Sequence, residues 1–231
     1  MSAKRNGTTR RTFLAQMATI AALPAHAQGG WYDLTSDDGR PVQNMRLPVE
    51  LVMEIARLPG LIRRRSGAAA VTLVEFTDFN CPFCKRAAAD LPALVAANRD
   101  LHLAHVNNPI LSAGSREAAL VEIAVLKHMG PGTALAFHAR MFASPGKADR
   151  AKALAVLKAM SLPAEAIEDI AAPDEEVTKA LELQMKLAAS LALGVTPSFV
   201  AGPVAILGYP GPRTMQRVVS ALNRCEKIVC S

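Results

Sequence analysis

The stretch that decides the fold of this chain is VTLVEFTDFNCPFC, residues 71–84. Its first six residues are rich in β-branched and aromatic side chains, which is typical of a buried strand. A helix is predicted from Pro82 to Ala97, where apolar residues recur on one side, and a second strand from Leu101 to Val106. A strand, a helix and a strand in this order predict a right-handed βαβ unit with parallel strands.

Cys81 and Cys84 lie where the predicted strand ends and the predicted helix begins. This position puts Cys81 near the N-cap and Pro82 in the first turn, where proline is well tolerated. Two residues three apart on a helix have Cα atoms ~5 Å apart, and a disulfide tolerates ~4.4–6.8 Å. The helix dipole stabilises a thiolate at Cys81. The spacing therefore predicts a redox-active pair in which Cys81 is the nucleophile and Cys84 resolves the mixed disulfide.

Glu75 is an acid on an otherwise apolar strand, six residues before Cys81. Burying a carboxylate is costly unless the group has a partner or a function. We predict that Glu75 has a raised pKa and accepts the proton of Cys84 during thiol exchange, through a water molecule if necessary. The alternative is an edge position at which the carboxylate reaches solvent.

The rest of the chain divides into a helical block and a second strand-rich region. Helices are predicted near residues 114–129, 132–142, 148–160, 164–171 and 174–192, strands at 198–201 and 204–207, and a last helix from about Pro212 to Asn223. We therefore assign residues 67–108 and 194–231 to one α/β domain and residues 109–193 to a helical insertion. Residues 28–66 form an N-terminal extension, in which residues 49–62 are predicted to be helical.

Residues 1–27 are predicted to be an export signal peptide. A basic start precedes the mildly apolar residues 13–23, and small residues end the segment at Ala27. Arg10 and Arg11, which are followed two residues later by an apolar pair, resemble a twin-arginine export signal. An ordinary signal peptide is the alternative. Either signal predicts cleavage after Ala27 and a mature protein in the periplasm.

Composition excludes several classes of protein. The chain has 231 residues, of which 51% are hydrophobic and 20% charged, so it is not a disordered protein. No apolar run reaches the ~18 residues that cross a bilayer. The net charge of +6 comes mostly from residues 1–27, because the rest of the chain has 22 Lys and Arg against 20 Asp and Glu. A mature chain this close to neutral is not expected to bind nucleic acid.

A second pair, Cys225 and Cys230, lies near the end of the chain. Five residues apart on a continuous helix, their Cα atoms would be ~8.6 Å apart, beyond the ~7 Å limit for a disulfide. If they pair, the helix must end near Cys225 and the tail must fold back. We predict such a structural disulfide, which an exported protein can form. Free thiols, a shuttle pair, or a zinc site shared with Cys81 and Cys84 are the alternatives.

The histidines show no metal-ligand spacing with a carboxylate. We therefore predict that the four histidines after the predicted signal peptide are structural and that the chain has no metal site; they are His102, His105, His128 and His138.

Two segments of the sequence resemble one known family. Residues 74–84 are similar to the active-site segment of the DsbA-like thiol:disulfide oxidoreductases of the thioredoxin superfamily, and residues 194–200, GVTPSFV, to their cis-proline loop. The resemblance covers roughly residues 69–224. It implies a thioredoxin-like α/β fold, with a central mixed sheet and an inserted all-helical domain. It also implies a cis peptide bond before Pro197 and a backbone contact between Thr196 and the substrate chain.

Phe83 departs from the pattern of the best-known oxidase of that family, which has histidine at this position. A histidine can stabilise the Cys81 thiolate and phenylalanine cannot, so we expect a less extreme oxidant. Pro82 and Phe83 are predicted to join Thr196 and Pro197 at the substrate-binding surface.

These observations predict a periplasmic dithiol–disulfide oxidoreductase that exchanges disulfides with exported proteins. It needs no cofactor, because the dithiol is the redox group. The expected partners are exported proteins with thiols or disulfides and a membrane redox protein that resets the pair. A disulfide isomerase or reductase on the same fold is an alternative, which a homodimer through residues 28–66 would favour. A non-catalytic thiol metal carrier is a second alternative.

Overall fold

The computed structural model describes residues 31–63, 71–171 and 173–230. The strands are β1 (Asn44–Arg46), β2 (Ile62–Arg63), β3 (Val71–Thr77), β4 (Leu101–Asn107), β5 (Ser198–Ala201) and β6 (Val204–Leu207). The helices are α1 (Val49–Ile55), α2 (Pro82–Ala97), α3 (Ala113–Ala143), α4 (Arg150–Ala159), α5 (Ala164–Ala171), α6 (Glu175–Ser190) and α7 (Pro212–Cys225). The predicted signal peptide, residues 1–27, lies outside the described residues.

The sheet is mixed and has the strand order β1-β6-β5-β3-β4-β2. Strand β3 is central, parallel to β4 and antiparallel to β5. The predicted βαβ unit is confirmed, and its parallel register places Glu75 beside His105 of β4. Because side chains alternate along a strand, Glu75 shares a face with Leu73, and this face packs against α2 and α7.

Among the described residues, three large hydrophobic cores and a small cluster around the cysteines hold the fold together. One lies between the sheet and helices α2 and α7, and a second lies on the opposite face under α1 and α6. The third belongs to the helical insertion and is centred on large buried side chains such as Phe137, Leu157 and Leu181. The fold is thus the expected thioredoxin-like α/β sheet with helices inserted between β4 and β5.

The N-terminal extension differs from its prediction. The helix expected over residues 49–62 ends at Ile55, and Gly60 adopts a positive φ of 72° that a helix does not contain. The chain then forms β2, which pairs with β4, whereas β1 pairs with β6. Residues 31–63 therefore supply both edge strands of the sheet. The dimer through residues 28–66 stays a prediction.

The helical insertion follows its prediction closely. The two helices expected at residues 114–129 and 132–142 are both present within α3, and they meet at a kink where Gly130 has φ 80° and ψ 172°. Pro131 follows the kink and starts the second helix, as a proline can. Within the part of the chain that the structure describes, no helix has both the length and the apolar character needed to cross a membrane.

Candidate active site

The two active-site cysteines lie in the first turn of α2 as reduced, buried thiols. Cys81 is the N-cap residue, and its sulfur accepts a hydrogen bond from the backbone N–H of Cys84 at 3.4 Å. Pro82 occupies the first position of the helix, where the missing N–H costs nothing. The predicted placement of the pair at the start of a helix is confirmed.

The environment of Cys81 favours its thiolate. Its pKa falls from the usual 9.0 to about 6, chiefly because the thiol of Cys84 donates a hydrogen bond to its sulfur. Burial acts in the opposite direction, and the Thr196 side chain and the N–H groups of Cys84 and Phe83 add to the lowering. Cys81 is therefore a nucleophile at neutral pH.

Cys84 has the opposite character. Burial raises its pKa, and the hydrogen bond to Cys81 and the negative charge of Glu75 raise it further. The backbone N–H of Asp78 lies 3.5 Å from its sulfur and acts in the other direction. At neutral pH Cys84 stays a thiol, so it can resolve a mixed disulfide only after losing its proton to a base.

The loop before β5 brings the predicted substrate-binding residues to the nucleophile. The Thr196–Pro197 peptide bond is cis, as the family resemblance implies. The sulfur of Cys81 lies 3.0 Å from the carbonyl oxygen of Thr196. The carbonyl of Pro197 accepts a hydrogen bond from Gly208, which anchors the loop to the end of β6.

A groove of about 680 Å³ runs past Cys81. Phe83 is 44% exposed beside it, and three further apolar side chains stand exposed around it, namely Ile110, Leu111 and Val195. One wall comes from residues 40–43 of the N-terminal extension. Ile110, Leu111 and this wall were not predicted from the sequence, because nothing local marks them as neighbours of the cysteines.

Glu75 is fully buried on the central strand, so the alternative of an edge position in contact with solvent is wrong. Its Oε2 lies 3.0 Å from Nδ1 of His105, and no hydrogen-bond partner for its Oε1 occurs among the residues that the structure describes. Burial raises the pKa of Glu75 to about 7, although the positive charge of His138 opposes this rise. A carboxyl group with this pKa is suited to exchange protons near neutral pH.

Two histidines treated as purely structural in the sequence analysis lie next to Glu75. His105 comes from β4, and His138 comes from α3 and stacks on it with ring centroids 4.2 Å apart. Nδ1 of His138 lies 2.8 Å from Oε1 of Glu122. Aligning the two parallel strands by length would have placed His105 beside Glu75, but no sequence signal brings His138 there.

The residues around Glu75 include histidine and carboxylate side chains, which are also common metal ligands. Among the described residues, Glu75, His105 and His138 have candidate ligand atoms within 4.8 Å of one another. However, Oε2 of Glu75 lies in direct hydrogen-bond contact with Nδ1 of His105, and the two imidazole rings stack, so the three side chains contact one another rather than a common point. The arrangement is that of a buried hydrogen-bonded network of carboxyl and imidazole groups.

Asp78 and Asn80 attach the active-site loop to the helical insertion. The Asn80 side chain donates hydrogen bonds to Ser115 and to the carbonyl of Ala148, and accepts one from the N–H of Ala148. Asp78 accepts hydrogen bonds from the Ser115 hydroxyl at 2.6 Å and from the N–H of Leu111 at 2.9 Å. These contacts, which the sequence analysis missed, position the segment that precedes Cys81.

Cys225 and Cys230 form a disulfide with a Cα–Cα distance of 6.1 Å. As the spacing required, α7 ends at Cys225, and Glu226 turns the chain back with a left-handed φ of 59°. The tail then buries Ile228 against the core under α7. A zinc site shared by the four cysteines is wrong, because these two sulfurs are bonded to each other.

A buried dithiol at a helix N-terminus, facing a cis-proline beside a mixed sheet, defines a thioredoxin-fold thiol–disulfide oxidoreductase. The family described as DSBA-like thioredoxin domain matches residues 72–220, and the chain belongs to this family.

Solved structures agree with this assignment. A thioredoxin-like oxidoreductase from Silicibacter pomeroyi DSS-3 is 30% identical over 74% of this chain and 96% of its own, with a TM-score of 0.68. The catalytic domain of Proteus mirabilis ScsC (23% identity, 75% and 96% covered, TM-score 0.66) and BdbD from Bacillus subtilis (19%, 84% and 100%, 0.64) share the fold. No curated protein matches the sequence.

Proposed function

We propose that this chain is a periplasmic dithiol–disulfide oxidoreductase that exchanges disulfides with exported proteins through Cys81 and Cys84. The observation that carries the proposal is the contrast between the two thiols of one helical turn. Cys81 has a pKa of about 6 and stands beside the groove, whereas burial raises the pKa of Cys84.

Acting as an oxidant, the disulfide form exchanges bonds in two steps. A substrate thiolate attacks the sulfur of Cys81, the Cys81–Cys84 bond breaks, and Cys84 leaves with the electron pair and takes a proton from Glu75. A second substrate thiolate then attacks the substrate sulfur of the mixed disulfide, and Cys81 leaves as a thiolate. The substrate loses two electrons and the enzyme gains them.

The groove and the cis-proline loop would hold the substrate. Thr196 and Pro197 lie against Cys81, and exposed apolar side chains such as Phe83 surround it. These features support an extended, partly unfolded chain with apolar residues near its cysteine as the substrate. No cofactor is part of the proposal, because the dithiol itself carries the electrons.

The redox potential of the pair against glutathione tests the direction of electron flow. Because a stabilised thiolate favours the reduced form, we expect a value above the ~−270 mV of thioredoxin. Because Phe83 replaces a stabilising histidine, we expect a value below the ~−120 mV of the strongest oxidase. A potential at or below that of thioredoxin would contradict the proposed role as an oxidant and favour a reductase on the same fold.

Export and partners need separate measurements. N-terminal sequencing of periplasmic material should start at Gln28, and an intact Met1 would contradict the proposed cleavage. Trapping with a Cys84→Ser variant should recover exported proteins and the membrane redox partner as mixed disulfides through Cys81. A dimer in sedimentation would favour the isomerase alternative, whereas a monomer favours the oxidase.

A further inference from the structure

A chain of four buried ionisable side chains runs from the active site into the helical insertion. Glu75 and His105 belong to the sheet, whereas His138 and Glu122 belong to α3. The contacts are 3.0 Å from Glu75 to His105, 4.2 Å between the two ring centroids, and 2.8 Å from His138 to Glu122. All four are at most 4% exposed.

The Glu122 end of this series of side chains is held by a hydrogen bond and enclosed by aromatic rings. Oε2 of Glu122 accepts a hydrogen bond from the Asn107 side chain at 2.8 Å. The His138 ring packs against Phe142 and Phe79, and both phenylalanines belong to the small apolar cluster around Cys81 and Cys84. Oε1 of Glu122 faces Nδ1 of His138 at 2.8 Å while its Oε2 accepts from Asn107, so both carboxyl oxygens are placed as acceptors. A carboxylate in this position favours a positive charge on His138.

We propose that Glu75, His105, His138 and Glu122 act as one buried proton-accepting unit, in which His138 and Glu122 of the helical insertion position the positive charge that keeps Glu75 ionised. This inference rests on the proposed function. His138 and Glu122 are positioning residues, since they act on the cysteines only through Glu75.

The proton balance of the resolving step gives the unit its role. Cys84 transfers its proton to the Glu75 carboxylate and attacks the sulfur of Cys81 in the mixed disulfide. The bond between Cys81 and the substrate breaks, and the substrate leaves as a thiolate. The proton remains on Glu75, where the hydrogen bond to His105 holds it inside the protein. In the oxidative direction the same proton returns to the departing Cys84.

Several groups contribute to the charge balance around Glu75. They are Cys84 from α2, His105 from β4, His138 and Glu122 from α3, and Tyr209 from the loop after β6. His138 is the cation that lowers the pKa of Glu75, against the larger effect of burial. Removing this cation should leave Glu75 protonated over a wider pH range.

The test follows the reaction of the reduced protein with an aromatic disulfide that releases a coloured thiolate. The first release reports attack by Cys81, and the second reports resolution by Cys84. The rate of the second release should rise with pH through the titration of Glu75. In His138→Gln and Glu122→Gln, we expect its midpoint to move upward by ~1 pH unit, which slows resolution ~10-fold on the acid side.

The double variant and a matched control sharpen the result. If Glu122 acts only through His138, the double variant should show the same shift as either single variant. His128→Gln changes an exposed histidine of the same helix and should leave both phases unchanged. An unchanged second phase in both single variants, with a normal first phase, would overturn the proton unit alone. A slow first phase in the unsubstituted protein would instead remove the proposed function.

A measurement on the unsubstituted protein guards against variants that fail to fold. The imidazole nitrogen signals of His105 and His138 in NMR spectra should change over the pH range of the second phase and on oxidation of the cysteine pair. Signals that stay constant in both experiments would overturn the proposal.

Discussion

The chemistry of Cys81 depends first on its neighbour one helical turn away. The hydrogen bond from the Cys84 thiol is the largest cause of the low pKa of Cys81, ahead of the backbone N–H groups at the helix start. The two cysteines therefore differ in ionisation because each affects the other. Replacing one of them should change the proton affinity of the other as well as break the pair.

Alkylation of Cys81 tests this dependence. In the reduced protein, the alkylation rate of Cys81, mapped by mass spectrometry, should follow a midpoint near pH 6. Cys84→Ala removes the donor and should move the midpoint toward the usual 9.0. Cys84→Ser keeps a donor and should stay closer to the unsubstituted protein. Identical midpoints in the intact protein and Cys84→Ala would contradict this account.

Glu75 should make the folded protein less stable as the pH rises. The pKa of Glu75 is raised to about 7 in the folded state, from a usual 4.5, so the free energy of unfolding is highest below pH 4.5 and falls as the pH rises. The destabilisation approaches its full value once the pH exceeds the folded-state pKa of about 7. Glu75→Gln should therefore raise the free energy of unfolding by up to ~3 kcal/mol at about pH 8 and have little effect at about pH 4.

Denaturant unfolding at the two pH values measures this effect. The exposed Glu54 of α1 provides a control, because Glu54→Gln should leave stability nearly unchanged at both. The same Glu75→Gln variant should resolve mixed disulfides more slowly. A variant that is equally destabilised at both pH values would show that Glu75 contributes packing rather than a buried charge.

The start of helix α7 is capped by a residue from the other end of the chain. Asp37 accepts hydrogen bonds from the N–H groups of Arg213 and Thr214 and from the Thr214 hydroxyl. Gly211, with φ 99°, is needed at this approach, because a Cβ there would lie 2.6 Å from the carboxyl carbon of Asp37. Because Asp37 lies three residues before the groove wall formed by residues 40–43, the cap connects this wall to the start of α7.

Removing this cap should weaken both the fold and the groove. Asp37→Ala should lower the free energy of unfolding by ~1–2 kcal/mol, the usual cost of a lost N-cap. Asp37→Asn keeps an acceptor and should lose less. Burial raises the pKa of Asp37, but the hydrogen bonds lower it by more, so the stabilisation should disappear as the pH falls through the acid range. Thermal unfolding that is equal for the two variants would contradict a capping role.

The elements that the sequence predicted well are those with long, regular patterns. Strand β3 is rich in β-branched and aromatic residues, helix α2 has one apolar side, and glycine and proline residues separate the helices of the insertion. Strands β1 and β2 were missed because two or three residues cannot show a period. Their pairing depends on β6 and β4, which lie far along the sequence.

At the scale of the whole molecule, the groove beside Cys81 reaches Tyr209 and Pro210, just before α7 begins, whereas the second disulfide lies at the end of that helix. A helix of this length spans ~20 Å, so Cys225 and Cys230 are remote from the groove. Cys225→Ser with Cys230→Ser should lower stability by ~2 kcal/mol, because the closed loop is short. Disulfide exchange by Cys81 should not change. Thermal unfolding measures the stability, and the reaction with an aromatic disulfide measures the exchange. Slower exchange would show that Cys225 and Cys230 take part in the reaction.

The cysteine site was predictable because residues 74–84 place a strand, a cap and a helix in order within one segment. The partners of Glu75 were less accessible. His105 follows from the register of two parallel strands, whereas His138 and Glu122 reach the site only because α3 packs beside the end of the sheet. Part of the groove was equally inaccessible, since residues 110–111 and 40–43 approach Cys81 only in the complete fold.

This dispersed origin of the groove has a consequence for biosynthesis. Its walls come from near the beginning, the middle and the last fifth of the polypeptide, and the central strand β3 has β5 as a neighbour that is made late. A nascent chain already carries Cys81 and Cys84 when less than half of it has been synthesised. Until the ribosome has added the C-terminal region, those thiols lack the surface that selects what they react with. Selective disulfide exchange is therefore expected only after the complete polypeptide has folded.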